Sequence, residues 1–468
     1  MDDRIIRRLT EIVGPASVLT SDEERLCHSY DATRRSAMPD VVVRPGSTAE
    51  VAAVARLCTE EKIPLTPRGA GTGLSGGAVP VKGGLVLSLT GMRRVRQMAT
   101  EDLYAVCEAG VVTEQFQKAA DEVSLFYPPD PASQKCCTLG GNIATSAGGI
   151  RCLKYGVTKN YLMGLEAVLP TGEIIKTGAR TVKSVAGFDL TRLICGSEGT
   201  LAVVTAAILR LIPRPDHAET ILAGFDTVEQ AASASAAVIA RGIVPAALEL
   251  MDSLAVSAAL RQAESLGGGI ERLGPALGQV EGLALLLAET DGFKEAAEHE
   301  ASAVEAVLKK AGARFVKKSS DRSERDTLWE GRRGVLAGLA RLKPIIILED
   351  ATVPRSRIVE MTGAVTSAAA RHGLTVALFG HAGDGNLHPT ILVDAPFDDR
   401  AKDVEAAVKE MFDAALSLGG TVSGEHGIGI DKAPFLRDEV GDVAFETMGR
   451  LKKAFDPEGI LNPGKLLV

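Results

Sequence analysis

The chain has 468 residues, 46% apolar and 24% charged, with a net charge of −8, enough for two or three domains with cores of their own. An acidic chain without basic tracts argues against a nucleic-acid partner, and its longest apolar runs, such as 283–288, fall far short of the ~18–20 residues of a membrane span. Seven cysteines, an odd count without a CxxC pair, argue against a disulfide framework and for a reducing compartment.

In chain order, "MDDRIIRRLTEIVG" predicts a short amphipathic helix heading an N-terminal segment, 1–34. No signal peptide is visible there, so the expected location is the cytoplasm, with peripheral attachment at the inner membrane left open. Ser47 followed by Glu50 reads as a capping box, and Val51, Val54, Ala55 and Cys58 recur at helical spacing. Strands are expected at "IPLTP", "GLVLSL" (84–89) and "YAVCEAGVV" (104–112). Residues 35–214 thus form one glycine-rich α+β domain, closed by the proline-containing "RLIPRPDHAET" (210–220). Beyond it, "TVEQAASASAAVIARG" predicts a helix, "LALLLAETDG" a strand and turn, and "PIIILEDATV" (344–353) a single strand. A helix at 356–373, a strand "TVALF" (375–379) with a glycine-rich loop, 380–389, leaving its end, and a helix at 401–420 with glycines at its C-terminal end follow. The second domain spans 215–420, and a C-terminal segment covers 421–468.

"GTGLSG" (71–76) matches the dinucleotide pattern G-x-G-x-x-G, but the residues after it, "GAVPVKGGLVLSL", place Pro80, Gly83 and Gly84 where the obligatory helix should run. A Rossmann fold is excluded, and what survives is a loop whose backbone N–H groups can cradle an anion. A second loop, "PPDPASQKCCTLGGNIATSAGG" (128–149), and a third, "VAGFDLTRLICGSEGTLAVVT" (185–205), carry further glycines that allow close backbone approach. Three such loops point to one elongated, phosphate-bearing ligand.

These motifs, with "GHAGDGNLHP" (380–389), "SGEHGIG" (423–429) and the tail "FDPEGILNPGKLL" (455–467), resemble the vanillyl-alcohol oxidase / p-cresol methylhydroxylase type of FAD-binding oxidoreductase. Within it the chain looks like the glycolate oxidase D-subunit / D-lactate dehydrogenase branch, and the similarity runs from about residue 35 to the end. The resemblance implies FAD held between two α+β subdomains, an antiparallel-sheet cap domain flanked by helices, and a C-terminal segment that returns to the flavin site. Arg68, Gly69, Ala70, Gly71, Thr72, Gly73, Leu74, Ser75 and Gly76 would hold the pyrophosphate. Pro129, Asp130, Ser133, Gly140, Gly141, Asn142, Thr145, Gly148, Gly149, Asp189, Glu198, Gly199 and Asn462 would contact the remainder of the cofactor. Some relatives attach FAD through a His in the first loop; Thr72 stands here instead, which implies non-covalent FAD.

Three of seven histidines lie in the two C-terminal motifs. His381, His388 and Glu425 form an N,N,O set suited to one divalent ion such as Zn, Mn or Co, with coordination positions to spare. His426, beside a ligand, suits a general base. Asn386 can hydrogen-bond a substrate, and Arg332 in "LWEGRRGV" matches a substrate-binding arginine of the family, although its neighbour Arg333 is indistinguishable by sequence. Trp329 is expected to pack rather than to touch substrate, and His28, His217 and His299 carry no pattern. The expected activity is FAD-dependent, metal-assisted oxidation of a small D-2-hydroxy acid, D-lactate or glycolate. A D-2-hydroxyglutarate dehydrogenase and a non-redox alkyl-glycerone-phosphate synthase are the alternatives. No iron–sulfur motif is present, so electrons should leave to oxygen, a quinone, a cytochrome, an electron-transfer flavoprotein or partner subunits; a homodimer is equally compatible.

Overall fold

Apolar spacing and caps set the first elements. The helix Asp3–Val13 is capped by Asp2, which accepts from the Arg4 N–H, and it buries Ile5 and Leu9. In the helix Thr48–Glu60 the Ser47 hydroxyl accepts from the Glu50 N–H. The Glu50 carboxylate, however, returns to the Gly46 N–H at 2.8 Å, one residue earlier than a capping box places it. The computed structural model describes every residue except 266–279, 281, 395 and 468. It divides into two units: Met1–Gly149, Val157–Arg214 and Glu425–Val468 form unit one, and Ile150–Gly156 with Pro215–Gly424 form unit two.

Unit one is α+β and contains two larger sheets. The first runs in the order Val18–Leu19, Val41–Val43, Leu85–Ser88, Leu65–Arg68, parallel apart from its first pair. The apolar face of the helix Thr48–Glu60 packs on it through Val51, Val54 and Leu57. The second is an antiparallel five-stranded sheet, Val95–Ala99, Tyr104–Glu108, Val203–Arg210, Leu162–Val168, Ile174–Gly178. The chain's last residues return to this unit. Leu65 N–H donates to Ile460 O at 2.8 Å and Asn462 N–H to Leu65 O at 2.7 Å, so the tail lies along the strand that leads into the glycine loop.

Unit two is built on an eight-stranded antiparallel sheet. Its order is Phe315–Lys318, His217–Phe225, Ala284–Gly292, Ala247–Met251, Thr375–His381, Asn386–Val393, Ile345–Leu348, with Ala351–Thr352 also pairing to Asn386–Val393. The helices Val228–Ala240, Lys294–Lys310, Ile358–Arg371 and Ala401–Ser417 cover one face. Ser253–Ser265, Arg322–Arg333 and Val335–Leu342 cover the other.

Two expectations are corrected here. The run 344–353 is two strands: Glu349 N–H still donates to Pro389 O at 2.9 Å, but Asp350 turns inward to the Ser423 hydroxyl at 2.9 Å and breaks the ladder. The stretch 380–389 is no free loop. It is a tight hairpin, with His381 ending one strand and His388 inside the next.

Candidate functional site

Hairpin register determines which side chains meet. Phe379 pairs with His388 and His381 with Asn386. Directly opposed residues share a face, so all four side chains stand on one side of the sheet. The His381 and His388 rings are perpendicular with centroids 5.0 Å apart, and both are buried. The turn between them depends on glycine: a Cβ on Gly385, at φ 78°, would lie 2.1 Å from Val353 O.

On the neighbouring strand Glu249 stands opposite His381, fully buried. Its Oε1 is 2.7 Å from His381 Nδ1, and its Oε2 is 2.6 Å from Arg332 Nη2. Burial alone would raise the Glu249 pKa, but His381 and Arg332 outweigh it and hold the carboxyl below its ordinary range. The sequence reading missed Glu249. Its signal was a single acid inside the otherwise apolar strand "ALELM", a position where a carboxylate survives only with partners.

Arg332 is buried and Arg333 exposed, which separates the pair. The Arg332 guanidinium stacks 4.9 Å over the Phe379 ring. Trp329, one turn earlier, is core: it is buried, and its Nε1 donates to Thr220 Oγ1 at 3.1 Å. Among the described residues, Arg332 Nε, Asn386 Oδ1 and Thr352 Oγ1 are buried without a hydrogen-bond partner. Each such group costs about 1–3 kcal/mol, so a polar ligand would be favoured there. Gly424 packs against this spot, since a Cβ on it would meet Thr352 Oγ1 at 2.3 Å and Asn386 Nδ2 at 2.7 Å. Glu425 is the next residue in the chain.

The residues fit a metal on chemical grounds. A carboxylate can only accept, so His381 would carry its Nδ1 proton toward Glu249 and Nε2 would be the nitrogen to hold an ion, the arrangement usual for imidazole ligands held by a carboxylate.

In unit one the strand Leu65–Arg68 delivers Arg68 to the glycine loop. No helix follows it, as expected for a fold other than Rossmann. Gly71 lies at φ 72°, and a Cβ there would sit 2.0 Å from Arg68 Nη2, so only glycine lets the loop close over the guanidinium. Burial lowers the Arg68 pKa, opposed by the Asp31 charge. A buried cation among irregular backbone fits a phosphate group. Gly69 abuts Thr138, which caps the helix Leu139–Thr145 containing Gly140, Gly141, Asn142 and Thr145. Gly149 approaches Asp130, whose O would lie 2.5 Å from its Cβ. Pro129 and Gly148 are buried, and Ser133 is half-buried.

The turn carrying His426 is fastened to this loop within the same unit. Ile430 N–H donates to Ser75 O at 2.7 Å. The Glu198 carboxylate accepts Ile428 N–H at 2.6 Å and Gly429 N–H at 2.7 Å. Asn462 donates to Gly77 O and Glu198 O and accepts from Lys465, whose pKa burial lowers to about 8. The Glu198 and Asn462 side chains thus tie the two turns together, and Gly199 packs on Pro67. Asp189 is half-exposed and caps the helix Leu190–Ile194. His217 does have a partner, Glu219 Oε1 at 2.7 Å, near the unit's surface.

Comparison with known proteins identifies the family. Residues 39–178 match the FAD binding domain model and residues 214–466 the model for FAD linked oxidases, C-terminal domain. The glycolate oxidase subunit GlcD of Bacillus subtilis is 44% identical over 98% of this chain and 96% of its own. A D-lactate dehydrogenase of Anaerostipes hadrus is 36% identical over 99% and 97%. p-Cresol methylhydroxylase with substrate bound superposes with a TM-score of 0.79 at 18% identity, covering all of this chain and 96% of the other, which shows the shared fold. No described helix is long and apolar enough to cross a membrane. With its glycine loop, two-domain match and full-length relatives, the chain belongs to the FAD-linked oxidases and is an oxidoreductase.

Proposed function

We propose that the protein oxidises a small D-2-hydroxy acid, D-lactate or glycolate, to the 2-oxo acid, using non-covalent FAD and one divalent ion at His381, His388 and Glu425. The observation that carries this reading is the buried wall of His381, His388, Glu249 and Arg332 on one sheet face. It joins metal-ligand chemistry to a carboxylate-binding cation. The relatives' names, glycolate oxidase subunit and D-lactate dehydrogenase, agree with it.

When bound, FAD would supply the hydride acceptor, and an ion held by His381, His388 and Glu425 would lower the pKa of the substrate hydroxyl. Arg332 binds the substrate carboxylate through N–H groups that Glu249 leaves available. Asn386 orients the substrate through its unpartnered oxygen, and His426 takes the hydroxyl proton. Arg68 and the loop 69–76 hold the pyrophosphate. Electrons then pass to an external acceptor or a partner subunit.

Pocket chemistry favours a monocarboxylate. Leu348 pairs with Thr390 and Ile346 with Leu392, so the strand Ile345–Leu348 presents these two apolar side chains to the His388 face. Lys343 is bound to Asp394 at 2.8 Å, and Arg355 is exposed. Burying a second carboxylate there without a cation costs several kcal/mol. The kcat/KM for D-lactate or glycolate should exceed that for D-2-hydroxyglutarate by at least about tenfold. A preference for the dicarboxylate refutes this pocket.

A further inference from the structure

Glu249 is completely buried in a strand whose other side chains, Ala247, Leu248, Leu250 and Met251, are apolar. Such a position does not favour an acid, yet its two oxygens reach two functional groups from different elements. One is a hairpin imidazole, the other a helix guanidinium.

We propose that Glu249 is a positioning residue that serves both with one carboxylate. Oε1 fixes the His381 ring so that Nε2 faces outward, and Oε2 anchors Arg332 and offsets part of its charge. The inference rests on reading His381 as a metal ligand and Arg332 as the substrate cation. It adds that the two are coupled through a group that touches neither metal nor substrate.

The geometry gives the substitution its meaning. Both partners face Glu249 with groups that can only donate to a carboxylate or attract it: His381 Nδ1 lies 2.7 Å from Oε1, and the Arg332 guanidinium forms an ion pair with Oε2, Nη2 at 2.6 Å. A glutamine has one acceptor oxygen and one NH2 donor group. It can accept from His381 and oppose Arg332, or accept from Arg332 and force His381 into the Nε2–H tautomer. Either way one of the two functions fails, although the side chain keeps its size.

The test uses FAD-loaded protein, chelated and then titrated with Zn²⁺ or Mn²⁺ alone. For E249Q the metal dissociation constant should rise about 10–100-fold, or the KM for D-lactate should rise with metal saturating, while flavin content stays that of the wild type. R332Q should raise KM with metal saturating and change metal affinity less than E249Q does, a split that a merely structural Glu249 would not produce. Unchanged metal affinity and unchanged KM in folded E249Q overturn the proposal. Failure of the wild type to bind metal at all overturns the underlying site reading instead. Should E249Q not fold, the ring ¹⁵N–¹H correlations of His381 in chelated wild-type protein decide. The Nδ1–H tautomer is expected, and the Nε2–H tautomer overturns the proposal.

Discussion

Arg332 and Arg333 are sequence neighbours with opposite environments: the first is buried against Glu249 and Phe379, the second exposed. A charge-assisted hydrogen bond is worth about 1.5–3 kcal/mol, so Arg332→Gln should raise the KM for D-lactate about tenfold to hundredfold. Arg333→Ala should leave it within about twofold, as surface substitutions do; equal effects would reverse the assignment. For His388, a ligand's outer partner alone is worth about 10–100-fold in metal affinity. Loss of the ligand in His388→Ala should therefore cost at least about 100-fold in turnover while FAD stays bound, as absorbance of the desalted protein would show. The histidines, the glycine loop and Thr72 were legible because uncommon residue types sat in patterns with a chemical reading. Glu249 was not, since its His381 partner is 132 residues away and only strand pairing brings them together. Arg332 could not be told from Arg333 because helix phase relative to a neighbouring sheet is a tertiary fact.

The helix Arg322–Arg333 must hold Arg332 in place, and its first turn is clamped. Asp321 caps it, and Glu324 accepts from Lys317 Nζ at 2.5 Å, Ser320 N–H at 2.7 Å and Ser320 Oγ at 2.7 Å. Burial opposes its charge, but these bonds outweigh burial and lower the Glu324 pKa from 4.5 to about 2. A depressed carboxyl pKa stabilises the fold fully above its ordinary value, and that stability fades as pH falls through the folded value. Glu324→Gln should therefore lower stability by about 1–3 kcal/mol at neutral pH. The gap to wild type should close between pH 4.5 and about 2, as followed by denaturant unfolding across pH; a gap that widens in acid would contradict the clamp. The strand Ile345–Leu348 decides substrate length. Leu348→Arg adds a cation to the His388 face and should raise the ratio of kcat/KM for D-2-hydroxyglutarate over D-lactate by at least about tenfold. No change would place the pocket elsewhere. Helices and strands with clean periodicity were readable in this chain. The hairpin at 380–389 was not, because its glycines look like a loop until cross-strand pairing is known, and the break at Asp350 depends on a hydroxyl contributed from Ser423.

Across the whole chain, an FAD-binding domain model and an FAD-linked oxidase C-terminal model account for most of the sequence, and the C-terminal segment closes back onto the glycine loop of unit one. With Thr72 where a linking histidine would stand, acid precipitation should release all the flavin into the supernatant; flavin retained in the pellet would contradict non-covalent binding. The chain order of motifs made the family visible before any fold was known, whereas the substrate depends on a few side chains whose facing is set by register. The central claim is that a metal held by His381, His388 and Glu425 makes this flavoprotein a 2-hydroxy-acid dehydrogenase. It is tested most directly by anaerobic addition of D-lactate or glycolate to the purified holoprotein while the visible flavin band is followed, before chelation, after it, and after metal is restored. The account predicts bleaching in the metal-loaded and restored samples and none in the chelated one with FAD still bound. Bleaching at an undiminished rate in protein shown by elemental analysis to be metal-free would contradict it.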